Sequence, residues 1–151
     1  YSKFMRDYIS QNFDYAFGQH SGVIDINKDK FELPRFPINE KYGELKRFSS
    51  IISYFPLEYK SLKPEEKKLL SKNNPPSFNV EFFNNQKNIT NINCYSNEGG
   101  NWEKSKTVLN NNNLSIIFRE AFKPRRGRIN CSLNDNGKWR WFGTQFTIRS
   151  N

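Results

Sequence analysis

The stretch RINCSLNDNGKWRWFGTQFTI, residues 128–148, decides the fold class. Asp135-Asn136-Gly137 separates two runs rich in β-branched and aromatic residues. Asn-Gly suits a two-residue hairpin turn because both central positions take positive φ. Strands are therefore predicted over 128–133 and 139–148. Working outward, 78–83, 89–95 and 114–118 read as further strands. Asn-rich turns such as Asn84-Asn85 and the run 110–113 punctuate them. The pattern predicts a small antiparallel β-sandwich. Trp139 and Trp141 alternate about Arg140, so both share one face of their strand, and that face is expected to be core.

Hydrophobic residues make up 35% of the 151 and aromatics 16%, so the core must lean on Phe, Tyr and Trp. The net charge of +9 admits an anionic partner (nucleic acid, acidic glycan or membrane surface) without choosing among them. No apolar run reaches the roughly 18 residues that a membrane-spanning helix needs. Cys94 and Cys131 lack CxxC spacing, and with a single histidine they argue against a zinc site. Each lies inside a predicted strand. The alternatives are a disulfide between the two sheets or two buried thiols. The disulfide is the expectation, and with it a site of action outside the cytoplasm.

Residues 1–70 carry a different pattern. A helix is expected over 2–12 with Ser2 as N-cap. Tyr15-Ala16-Phe17 reads as a short buried strand, followed by the polar loop Gln19-His20-Ser21-Gly22. In α/β architectures ligands bind at that end of a strand. Val23 to Ile26 reads as a second short extended piece, and Leu33-Pro34-Arg35-Phe36-Pro37 as extended. A helix is expected over 42–55 behind Asn39, and a second over 64–70 opening at Pro64. Residues 71–76, SKNNPP, read as a linker to a β-domain over 77–151. The elements before the linker cannot close a sheet with two covered faces, so strands from elsewhere are expected.

Three groups of residues, in this order, resemble the later part of Gram-negative polysaccharide deacetylases of carbohydrate esterase family 4. The first is Phe17-Gly18-Gln19-His20-Ser21-Gly22. The second runs from Leu33-Pro34-Arg35-Phe36-Pro37-Ile38-Asn39-Glu40 to Tyr42-Gly43 and Arg47-Phe48. The third is Asn74-Pro75-Pro76, Gly127-Arg128-Ile129-Asn130-Cys131 and Trp139-Arg140-Trp141-Phe142-Gly143. The resemblance spans nearly the whole chain. It implies the closing segment of a distorted (β/α) barrel followed by a β-sandwich. It further implies a divalent metal, zinc above all, held by an Asp and two His, with a second Asp activating the attacking water. The family's Asp-Asp pair and His-x-x-x-His are absent from this chain, which has one histidine. The metal is thus expected on an upstream half preceding Tyr1, and the chain alone is not expected to be an enzyme.

Within this frame His20 is the candidate for lining the sugar groove or passing a proton to the leaving amine. Arg35 is the candidate for tethering the catalytic carboxylate, and Gln19 and Ser21 for bonding substrate hydroxyls. The blander readings are a loop histidine bonded to backbone and a surface ion pair. Lys123-Pro124-Arg125-Arg126-Gly127-Arg128 is the densest basic run, able to meet phosphates, anionic sugars or only water. The expected activity is removal of acetyl groups from N-acetylglucosamine units of a cell-wall or exported polysaccharide. The expected partners are the upstream half and the polymer, in the periplasm, cell envelope or medium. The alternatives are a non-catalytic carbohydrate-binding β-domain and a basic nucleic-acid-binding domain.

Overall fold

The structure is a computed structural model that describes residues 2–123 and 125–148. In chain order the elements are helices α1 (Lys3–Asn12) and α2 (Leu45–Ile51), then strands β1 (Phe55–Pro56), β2 (Ser61–Lys63), β3 (Lys68–Leu69), β4 (Phe78–Glu81), β5 (Asn93–Ser96), β6 (Glu103–Lys104), β7 (Lys106–Asn110), β8 (Asn113–Ile117), β9 (Arg126–Asp135) and β10 (Lys138–Ile148). They form two sheets. The larger runs β1-β10-β9-β5-β6, with β3 also pairing β10, and the smaller runs β2-β4-β8-β7. The result is mostly β and sandwich-like, and no closed barrel forms among the described residues.

The β9–β10 hairpin is the centre. Asn136 and Gly137 take φ of 53° and 86°, the left-handed pair that an Asn-Gly turn supplies without a clash. From that turn the register pairs Leu133 with Arg140, Cys131 with Phe142 and Ile129 with Thr144. Ile129, Cys131, Leu133, Phe142, Thr144 and Phe146 are buried. They face Phe78 and Val80 of β4 and Leu114 and Ile116 of β8. Phe78 meets Phe146 edge-on at 6.2 Å, and Phe118 meets Phe122 at 5.1 Å. Each such ring contributes about 1.5–3 kcal/mol by leaving water.

The register also places the two tryptophans. Phe142 points into the sandwich, so Trp139 and Trp141 point away from it. The expected core face is therefore the outer one. Trp139 is exposed, and Trp141 is covered by the N-terminal residues Phe36 and Tyr54, the latter stacked at 5.9 Å.

Several further expectations are corrected. The Cys94–Cys131 bond forms, but within one sheet: the two residues are register partners on β5 and β9, 4.1 Å apart at Cα, so the bond does not bridge the sheets. Residues 64–70 are extended rather than helical. The strand β3 places Leu69 in the core and ladders with Thr147 and Ile148, which the open edge of β10 offers. The helix expected over 42–55 shrinks to α2, because Phe55–Pro56 pairs instead with Arg140 and Trp141. Asn39 serves a turn, its Oδ1 accepting from the Tyr42 N–H at 3.2 Å. Tyr15 and Phe17 are exposed, not buried. The strand expected there is a single parallel bridge from Phe17 to Leu33. The helix over 2–12 appears as α1, with Ser2 Oγ accepting from the Met5 N–H.

Residues 55–69 thus supply strands to both sheets: β1 and β3 to the larger, β2 to the smaller. Beyond them, Ser71–Asn73 forms one 3₁₀ turn. The Asn74 side chain donates to the Phe122 carbonyl and accepts from its N–H, both at 2.9 Å.

Replacing both cysteines by alanine is expected to cost about 3–4 kcal/mol, from the loop entropy that the bond removes from the unfolded chain. Urea unfolding under non-reducing conditions reads this directly. A loss below about 1 kcal/mol would show that the ladder alone holds β5 to β9.

Candidate functional site

The outer face of the β9–β10 hairpin receives the loop 18–22. Gly143 makes this possible, since a Cβ there would stand 1.9 Å from the Ser21 carbonyl oxygen and 2.7 Å from Asn130 Oδ1. The loop is held at three more points. Gln19 Oε1 accepts from Arg126 Nη1. The Arg35 N–H donates to the His20 carbonyl at 3.1 Å, and Arg35 Nε donates to the Gly18 carbonyl at 3.2 Å. Gln19, His20, Ser21 and Arg35 are therefore brought together. Their roles differ: Gln19 and Arg35 are exposed, Ser21 touches the sheet through backbone, and His20 turns inward.

His20 is only 5% exposed. It enters a cavity of about 70 Å³ with Tyr59, Lys67, Leu33 and Trp141 on its walls. The cavity shares Asp29, Glu32, Tyr59 and Lys67 with a neighbouring cleft of about 500 Å³, which Arg6, Lys60 and Glu65 also line. Burial, and secondarily the nearby Lys67 ammonium, push the His20 pKa down to about 4, so at neutral pH the imidazole is uncharged. Burial likewise lowers the pKa of Lys67, against the opposing pull of Glu32, Glu65 and Glu66. Lys67 Nζ lies 5.4 Å from the centre of the Phe146 ring. Burial, with Glu32, Asp25 and Asp29 adding, raises Tyr59 to about 12, and its phenol keeps its proton. Lys28 donates to the Tyr59 carbonyl and stands 4.0 Å over its ring. Arg6 grips Asp29 with two bonds of 2.6 and 3.0 Å, which ties α1 to the cleft rim.

The cleft thus offers a neutral imidazole, a phenol, an ammonium and carboxylates against aromatic walls. That set can hydrogen-bond hydroxyl and acetamide groups while an apolar face packs on rings. It does not fit a metal. Among the described residues no group of three or more His, Cys, Asp or Glu could hold one, and both cysteines are consumed in the disulfide. Sequence reasoning found the loop but missed Lys67, Tyr59, Lys28 and Glu32. Lys67 stands beside Lys68 and two acids, which reads as a solvated surface, and nothing local marks it as buried. In the basic run, Arg126 and Arg128 lie on β9, Lys123 and Arg125 flank it, and Pro124 lies outside the described residues.

Comparison with family models, with curated proteins and with solved structures finds no match for the chain.

The depressed His20 pKa makes a signed prediction. The unfolded chain takes up the proton near pH 6.5 and the folded one only near 4, so stability falls as pH drops through that window. His20→Gln should remove this component. Its stability curve between those pH values should be flatter by about 3 kcal/mol in total. Parallel curves would mean that His20 is solvated in the folded chain. Separately, Gly143→Ala should push the loop off the sheet. The His20 resonance, followed by NMR titration, should then move up from about 4 toward its ordinary value.

Proposed function

We propose that the chain is the closing segment and appended β-sandwich of a metal-dependent polysaccharide N-deacetylase, acting on N-acetylglucosamine units of a cell-wall or exported polymer. The order of motifs from Phe17 to Gly143 supports this reading. The observation that carries it is the distribution of uncovered apolar surface. Phe4 and Leu45 are each 82% exposed, Ile26 92% and Ile52 66%, whereas no large hydrophobic residue described after residue 77 exceeds 47%. The sandwich covers its own core, but the N-terminal segment does not. A partner laid over the N-terminal segment would cover these side chains. That partner, on this reading, is the upstream half of the barrel, laid beside the parallel bridge between Phe17 and Leu33.

The upstream half would bring the divalent metal, zinc in this proposal, together with its Asp and His ligands. This chain's own share is the wall of the groove. The loop Gln19-His20-Ser21, fastened to Gly143 and Arg35, meets the sugar. His20, neutral and fixed, orients hydroxyl or acetamide groups and carries no charge itself. The disulfide supports placement in an oxidising compartment, such as the periplasm, cell envelope or medium. No helix among the described residues is long and apolar enough to cross a membrane.

Reconstitution tests the proposal. The chain alone should bind a hydrophobic dye strongly and release no acetate from chitin oligosaccharides. Joined to the metal-bearing half of a deacetylase barrel, it should lose dye binding, and the assembly should release acetate until a chelator is added. Continued dye binding with no acetate released would defeat the reading. Retained binding of chitin oligosaccharides by the whole chain alone would then favour a carbohydrate-binding β-domain.

A further inference from the structure

The arginines of the described residues fall into two groups. Arg6, Arg119 and Arg140 are ion-paired with Asp29, Glu98 and Asp135. Arg35, Arg47, Arg125, Arg126 and Arg128 have no carboxylate within ion-pair distance among the described residues, and all of them but Arg125 gather around one place. Arg126 and Arg128 lie on the outer face of β9, opposite Thr147 and Gln145. Arg126 donates to the Gln19 side chain and Arg35 Nε to the carbonyl of the preceding Gly18. The Trp102 ring lies 5.2 Å from the Arg128 guanidinium, and Tyr42 lies 5.3 Å from that of Arg47.

This place is unfinished in the protein alone. Arg128 Nε, Arg47 Nη1, Trp141 Nε1 and Gln145 Oε1 are buried without a hydrogen-bond partner among the described residues, three of them on the outer face of the same hairpin. A buried polar group left without a partner is unfavourable, and a ligand that meets it is favoured. Arg128 loses some of its hold on its proton to burial and to the adjacent Arg126 cation. Two guanidiniums placed side by side, with no acid between them, are relieved by an anion from outside.

We propose that the Arg126–Arg128 face, walled by Trp102 and Tyr42, is a subsite for an acidic substituent of a polysaccharide, a carboxylate or phosphate carried on the polymer. Arg supplies the planar fork that meets such oxyanions, and the tryptophan supplies a face for the adjoining ring. The subsite adjoins Gln19-His20-Ser21, so the inference rests on the reading of that loop as glycan-facing and narrows the polymer to an anionic one. A nucleic-acid track is disfavoured. Along the same outer row of β9 the cations stop, and Asn130, Ser132 and Asn134 follow, all neutral. A phosphate backbone needs a continuing stripe of charge.

Calorimetric titration of the whole chain with oligogalacturonate, chitohexaose and an oligothymidylate tests the subsite. Oligogalacturonate should bind more tightly than chitohexaose. The R126Q/R128Q variant should bind it about tenfold more weakly, while K87Q/K106Q, which removes the same charge from the far end of the hairpin and from the other sheet, should not. R126Q alone, at an exposed residue, serves if the double variant unfolds, and R128K should fail to restore the forked contact. Equal affinity for the acidic and neutral glycans would overturn the proposal, as would equal losses in both charge variants. Tighter, Arg128-dependent binding of oligothymidylate would reassign the face to nucleic acid. These readouts need no acetate release, so a failed reconstitution leaves them standing. An active assembly indifferent to glycan charge would remove the acidic subsite and keep the deacetylase.

Discussion

Everything outside the sandwich core hangs on the outer face of the β9–β10 hairpin being open at Gly143. Strand periodicity sends Phe142, Thr144 and Phe146 inward, which obliges Trp141, Gly143 and Gln145 to face outward. A side chain at position 143 would hold the loop 18–22 away. Its absence lets Ser21 and Gly22 lie against the strand backbone. That contact swings His20 into the gap beside Lys67 and Tyr59 and leaves Gln19 beside Arg126. One missing Cβ thus positions both the buried polar cleft and the arginine face.

The way the N-terminal segment is attached follows from this. It docks by backbone ladders and charged pairs more than by apolar burial. The Leu57 N–H donates to the Trp141 carbonyl, the Thr147 N–H to the Lys67 carbonyl, and Lys60 pairs with Glu81. Leu33, Leu57 and Leu69 are the buried aliphatic residues it contributes, and the Phe36–Tyr54–Trp141 cluster closes the outer face. Docking of this kind fixes a segment's position without using up its hydrophobic side chains. Those chains, from Phe4 to Ile52, remain on the surface.

The legible part of the fold was the part dictated locally. Asn136-Gly137 announces its turn, alternation announces β4, β8, β9 and β10, and Ser2 announces α1. What escaped was set by distant partners. Residues 64–70 carry charges and leucines that suit a helix, yet the open edge of β10 recruits Lys68 and Leu69 as a strand. Phe55 has a helical period behind it and takes the same edge. For the tryptophans, period two assigned a common face, but which face is inward depends on the opposing sheet. The disulfide was expected from two cysteines in strands. Its place within one sheet required knowing that β5 neighbours β9. At the site, the loop 19–21 was visible as a polar break after an apolar run, and Arg35 through its proline frame. Lys67 and Tyr59 were not visible, because their burial is created by the docking itself.

The two faces of the loop divide the electrostatics in a way that bears on substrate choice. Inward, charges are matched: five basic side chains of the cleft, Lys67 among them, face five carboxylates, and His20 is held neutral. Outward, Arg35, Arg126 and Arg128 stand without acids among the described residues. A ligand confined to the cleft would meet a nearly balanced field and be selected by hydrogen bonding. One that also crosses the loop would meet uncompensated positive charge, selected by its acidity and weakened by salt. A polymer is the kind of ligand long enough to do both. It would present neutral N-acetylated units to the inner wall and an acidic substituent to the arginines on the other side of the loop.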